Sequence, residues 1–260
     1  VLVLEMSGGW LAGISWHAAF LIYLVGIVIL AGVLLTMREP VLSKIMRDKD
    51  ETPEQFPTAP LFMAYITLFL GNMLFFLMPV KFPYLIATMD AARILGENTA
   101  LTSGLFLGIM GCASSLMGLA YGRIVWRFHR NTILTATFVF FGLGYCLLGL
   151  ASSLVVVGIA VVCVGIAEGI LMPTILTWIA TITPKQFLGR ASGGFSVSLN
   201  LGQFASTLAI VPVIAIASTY GVMFVTFGCA GFLLAVPFVF GTLKQKYALH
   251  EINPGSKQEI

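Results

Sequence analysis

Apolar residues gather into seven long stretches, at approximately 18 to 37, 61 to 80, 101 to 121, 132 to 150, 154 to 180, 191 to 217 and 220 to 243. Each holds roughly 20 residues or more, enough to cross a hydrocarbon core of about 30 Å at about 1.5 Å per residue. A span in lipid must satisfy its backbone polar groups internally, so these stretches predict helices. The first, Ala18 to Met37, is longer than a signal-peptide core and no basic segment precedes it, so it reads as a membrane span. The longest polar connection, Arg38 to Pro60, mixes charges with the run "TPEQFPTAP" and predicts a flexible linker dividing one lone helix from six.

The six carry a weak internal echo. Spans two and five begin about 90 residues apart, and spans three and six both open on S-G-x-F, at Ser103 to Phe106 and Ser192 to Phe195. Three helices plus three is the plan of a half-transporter. The fold expected is therefore all-α and integral to a membrane, with seven transmembrane helices of which six form a 3+3 bundle. The boundaries are 1–37 for the leading segment, 38–60 for the linker, 61–243 for the bundle and 244–260 for a polar tail.

Composition agrees with a lipid setting: 58% of the 260 residues are apolar, mean hydropathy is +0.99 and only 10% are charged. The net charge of +3 is scattered in short pieces between spans, which argues against nucleic acid as a partner. Every Lys and Arg except Lys81 and Arg93 falls in the loops after spans one, three, five and seven. By the positive-inside rule the N-terminus is outside and the C-terminus cytoplasmic. Cys112, Cys146, Cys163 and Cys229 each sit alone in an apolar run, so they read as small core residues, and no metal site is expected. "GFSVS" (Gly194 to Ser198) lacks the last Gly of a nucleophile elbow, and His17, His129 and His250 fall at span edges or in loops. No catalytic constellation emerges, so neither an enzyme nor a cofactor is expected.

Several polar residues inside the spans are candidates for transport chemistry. Glu168 lies near the middle of the fifth span, where a carboxylate costs several kcal/mol unless protonated, paired or wetted. It is the candidate proton or cation site, the alternative being a carboxyl that merely hydrogen-bonds a neighbouring helix. Asn72, Asn200 and Gln203 are the amides expected to share its cavity, or else to act as interhelical glue. Asn200 and Gln203 are three apart and share a helix face. Lys81, between Pro79 and Pro83, either opens a wet mouth or snorkels to headgroups. Gly104 with Gly108, Gly165 with Gly169 and Gly189 with Gly193 are small-xxx-small pairs for close helix approach, and Pro173 and Pro212 are candidate flexing points.

Four stretches carry a wider likeness: "SGGWLAGISWHAAFLIYL" (Ser7 to Leu24), "NMLFFLMPVKFPYLI" (Asn72 to Ile86), "GILMPTILTWIATITP" (Gly169 to Pro184) and "GRASGGFSVSLNLGQF" (Gly189 to Phe204). The chain resembles the major facilitator superfamily, in particular bacterial drug and sugar efflux carriers, over nearly its whole length. The resemblance makes the first span family helix six and the others helices seven to twelve, preceded by the tail of helix five. It implies a bacterial cytoplasmic (inner) membrane protein that moves a small organic solute, by efflux and alternating access, with protons as a candidate co-substrate. Transport would be complete only with a missing N-terminal six-helix bundle, expected as about five further apolar spans upstream of Val1. The alternative is a non-transporting accessory subunit that pairs with another half.

The likeness extends to "YGRIVWRFHRN" (Tyr121 to Asn131), which resembles the family's G-x-x-x-D-R-x-G-R-R loop between helices eight and nine. Gly122, Arg127 and Arg130 fit, with Arg123 beside them, while Trp126 replaces the Asp and His129 the second Gly. The resemblance implies a cytoplasmic gating loop that has lost its carboxylate; the other reading makes these arginines topology determinants among headgroups. The antiporter pattern G-P-x-x-G-G of helix five is half kept: Gly8 and Gly9 match, whereas Leu4 and Glu5 replace its first two residues.

Overall fold

A computed structural model describes residues 7–8, 10–12, 15, 17–36, 55–89, 99–217 and 219–252. All regular structure among them is helical. A 3-10 segment, Ala18–Leu24, runs into α1 (Val25–Thr36); then come α2 (Thr58–Thr88), α3 (Thr99–Arg127), α4 (Arg130–Gly149) and α5 (Leu154–Ile182). A short 3-10 turn, Lys185–Phe187, leads to α6 (Leu188–Ile216), and α7 spans Tyr220–Ile252. The six helices α2 to α7 are each long and apolar enough to cross a membrane.

The first expected span takes a different form. α1 has 12 residues and its entry is 3-10, and its apolar side chains, Leu34 and Leu35 among them, are exposed. The linker's end is also helical sooner than expected, because α2 begins at Thr58 and tolerates Pro60 in its first turn. The tail expected from 244 starts instead as a continuation of α7 to Ile252. Residues 37–54, Arg93, residues 253–260, and Leu4, Glu5 and Gly9 lie outside the described residues.

Within the helices, polar side chains are absorbed locally. Thr137 and Thr174 donate their hydroxyls to the carbonyls of Ile133 (3.0 Å) and Ile170 (2.6 Å), one turn back. Ser153 caps α5 by accepting from the Val156 N–H at 3.4 Å. Pro79, Pro83, Pro173, Pro212 and Pro237 all lie inside helices, a placement that membrane helices tolerate because neighbouring groups re-satisfy the freed carbonyls.

Packing crosses between the two triplets. α3 packs on α5, α2 on α6 and α4 on α7, with α5 also against α4 and α2. Exchanging α2 with α5, α3 with α6 and α4 with α7 turns the α3–α5 contact into α6–α2 and the α4–α7 contact into itself. That is the pairing expected of two related triplets in inverted orientation. The exchange is imperfect, for α4–α5 is extensive and its counterpart α7–α2 slight. Because lipid tails are as apolar as leucine, shape and close approach hold such pairs together. The α4–α7 seam is built for it: Gly149 and Gly221 meet backbone to backbone, a Cβ on Gly228 would lie 2.8 Å from the Cys146 nitrogen, and one on Gly231 2.9 Å from the Gly142 nitrogen.

Candidate functional site

Val157, Val161, Val164, Glu168, Leu171 and Ile175 repeat at alternating steps of four and three along α5, and all are buried. They form the stripe turned into the bundle, while Val155, Ile159 and Thr177 mark the exposed opposite face. Glu168 is therefore a carboxyl set into an otherwise aliphatic ridge, 8% exposed, with Oε2 buried and without a hydrogen-bond partner. It is also the one acidic residue of the sequence between Glu97 and Glu251. Its electrostatic neighbour is Tyr145 on α4, which is fully buried. The Tyr145 hydroxyl donates to the carbonyl of Leu74 on α2, and its ring stacks between Phe141 at 6.3 Å and Phe224 of α7 at 5.9 Å. Glu168 thus adjoins a hub that ties α2, α4 and α7 together.

The amides expected to share its cavity are held in different ways. Asn72 is fully buried in the seam between α2 and α6, where its Nδ2 donates to the Leu199 carbonyl at 2.6 Å and its Oδ1 has no partner. Asn200 and Gln203 share a face, as their spacing requires, but it is the exposed face of α6. Asn200 donates to the Ser196 carbonyl at 2.8 Å. Ser192, Ser196, Asn200, Gln203 and Thr207 make a polar stripe there, beside an apolar one of Val197, Leu201, Phe204 and Leu208. Lys81 belongs to the other end of the bundle. Its Nζ lies 5.0 Å from the Tyr84 ring centroid, and Tyr84 stacks on Tyr220 at 6.0 Å. Tyr220, with Thr88, Ile214, Thr219 and Gly221, lines a cavity of about 430 Å³.

The glycine pairs divide by use. A Cβ on Gly165 would strike the Met110 carbonyl and come within 3.0 Å of the Ala113 Cβ; one on Gly169 would strike the Ser114 carbonyl and come within 2.9 Å of the Met117 Cβ. These two bring α5 onto α3, where Gly104 and Gly108 are also buried. Gly189, Gly193 and Gly122 have nothing within 4 Å of a Cβ, so their smallness is not spent inside this bundle.

At the end of the bundle where α3 gives way to α4, Arg123 and Arg127 are exposed and Trp126 is 91% exposed. Arg130 is held differently: its guanidinium carbon lies 4.1 Å from the centroid of Trp178 on α5, and its Nε is buried without a hydrogen-bond partner. At the same end Arg190 sits 4.6 Å over Phe56, and the Tyr65 hydroxyl donates to the Ala191 carbonyl at 2.9 Å. Sequence reasoning missed Tyr145, Trp178 and the α4–α7 glycines. A signal for the last existed: Gly142 and Gly149 repeat the seven-residue step of Gly221 and Gly228, each pair on the third helix of its triplet.

A family model described as the Major Facilitator Superfamily matches residues 6–207 and 86–259. No curated protein matches the chain in sequence. Among solved structures, a point mutant of the peptide transporter POT is similar with a TM-score of 0.58 and 13% identity, over 76% of this chain and 42% of its own. A POT family transporter in complex with a thioalcohol-conjugated peptide is similar with a TM-score of 0.54 and 16% identity, over 86% of this chain and 53% of its own. At such identities the likeness speaks for the fold alone. The chain spans about half the length of the solved transporters it matches.

Proposed function

Because the chain belongs to the Major Facilitator Superfamily, we propose that it supplies one side of a secondary carrier, working by alternating access with a second six-helix bundle. The observation that carries this reading is the exposed face of α6. A stripe of Ser192, Ser196, Asn200, Gln203 and Thr207 inside a membrane-length helix is poorly matched to lipid tails, and it suits a protein partner or a water-filled pathway. The open glycines Gly189 and Gly193 on the same helix, and Gly122 on α3, support a second bundle sliding across that side. In this reading Asn200 and Gln203 border the pathway of a small organic solute, moved outward across a bacterial cytoplasmic membrane. The N-terminus is outside, the C-terminus cytoplasmic, and residues 38–60 link the two bundles.

Asn72 serves as glue between α2 and α6, which its buried 2.6 Å hydrogen bond supports. Glu168 takes and releases the coupling proton from within the bundle rather than from the pathway wall. The support is its isolation: no other acid lies between Glu97 and Glu251, and the stripe around it is aliphatic. Its electrostatic coupling to the Tyr145 hub gives a protonation change a route to the packing of α2, α4 and α7.

The test is flux. Liposomes preloaded with ethidium should lose it under a proton gradient when this chain is reconstituted with an N-terminal six-helix bundle of the same carrier, and not when it is reconstituted alone. Flux through this chain by itself would overturn the half-carrier reading. An active pair whose Glu168→Gln variant kept both full flux and its pH dependence would remove Glu168 from the coupling.

A further inference from the structure

We infer that the corner between α3 and α4 binds the phosphate of an anionic phospholipid headgroup. Arg123 and Arg127 are one helical turn apart at the end of α3 and both exposed, so two positive charges share one face there. The Arg130 guanidinium is stacked face-on against Trp178, which fixes its plane and spends its face while its buried Nε has no hydrogen-bond partner. A planar guanidinium fixed beside two further exposed arginines suits a phosphate.

Among the described side chains of the bundle, no anion answers these charges. Glu168 is the one acid between Glu97 and Glu251, and it lies ten residues along α5 from Trp178, about 15 Å of helix away. The side chains interleaved with the arginines point to a lipid as the source of the anion. Trp126 and Phe128 are exposed at the end of a membrane-spanning helix, the level at which aromatic rings settle among headgroups. A soluble phosphate has no use for them, whereas a lipid offers glycerol and upper acyl chain beside its phosphate.

Native mass spectrometry of the full chain, released from micelles holding equimolar phosphatidylglycerol and phosphatidylcholine of identical acyl chains, tests this. Phosphatidylglycerol adducts should predominate. Each arginine removed should lower the adduct ratio about fivefold, so R123Q/R127Q should lower it about 25-fold and R130Q about fivefold. R123K/R127K should keep most of the preference, because it keeps the charge. The two α3 arginines are exposed, so their variants should unfold at the wild-type temperature, separating lost lipid binding from lost fold. Equal retention of the two lipids by the wild type, or an unchanged ratio in R123Q/R127Q, overturns the inference. So does displacement of phosphatidylglycerol by excess inorganic phosphate at constant ionic strength, which would make the corner a site for a soluble anion.

Discussion

Replacing Gly169 by Ala places a methyl group where α5 already lies against α3. The new Cβ would sit 2.9 Å from both the Met117 Cβ and the Ser114 Cα, against ordinary contact at 3.4–4 Å, and would press on the Ser114 carbonyl. The shortfall is about half an ångström to one ångström, and two of the three obstacles are backbone atoms that no rotamer change can move. Relief requires the helices to part, which also loosens the similar contact one turn away at Gly165. Overpacking of this kind costs about 1–3 kcal/mol. Alanine's better helix propensity returns about 0.5–1 kcal/mol, leaving a net loss of roughly 0–2.5 kcal/mol, centred near 1 kcal/mol. Gly122→Ala is the matched control, because a Cβ there meets nothing within 4 Å and only the propensity gain remains. Thermal unfolding of the purified chain in dodecyl maltoside micelles reads both. At about 2–4 °C per kcal/mol for a chain of this size, Gly169→Ala should melt a few degrees early and Gly122→Ala no earlier than wild type. Equal melting temperatures for the two variants would refute the idea that close helix approach at Gly169 stabilises the bundle.

Further outcomes follow from the same contacts. Tyr145→Phe keeps the stacked ring and deletes the donor to the Leu74 carbonyl, which should cost about 1–2 kcal/mol in the same unfolding assay. Asn72→Ala removes the amide that reaches Leu199 and leaves that carbonyl's contact empty; a loss of about 1–3 kcal/mol is expected, and no loss would deny it the role of glue. Trp178→Leu should release the Arg130 guanidinium at a cost of about 0.5–2 kcal/mol, read as faster proteolysis at the α3–α4 corner. The double change Asn200→Leu with Gln203→Leu, made on an exposed face, should leave the stability of this chain within about 0.5 kcal/mol and abolish flux in the assembled carrier.

The six bundle helices could be read off the chain because each is one apolar run of membrane length, and Glu168 could be found because nothing else like it lies in the run. Side-chain direction was harder. Asn200 and Gln203 share a face by arithmetic alone, but whether that face looks inward depends on which neighbour α6 chooses, and it chooses α2 on its other side. Asn72 is drawn into that same α2–α6 seam for reasons that lie 127 residues away. The glycines make the point again: Gly165 with Gly169 and Gly189 with Gly193 have the same spacing, yet only the first pair has a helix against it. The 3-10 entry to α1 was not legible, because a hydropathy pattern reports length and not helix type.

The crossed pairing of the helices bears on how the chain is made. α2 and α3 leave the ribosome before their main partners, α6 and α5, so neither triplet can finish packing before the other arrives. The Asn72 amide waits for a carbonyl 127 residues downstream, about 6 to 25 s at ordinary rates of synthesis. For that interval an unpaired polar side chain stands in the membrane or in the insertion machinery. The nascent chain is most exposed to quality control in that window, and a truncation anywhere before α6 makes the window permanent.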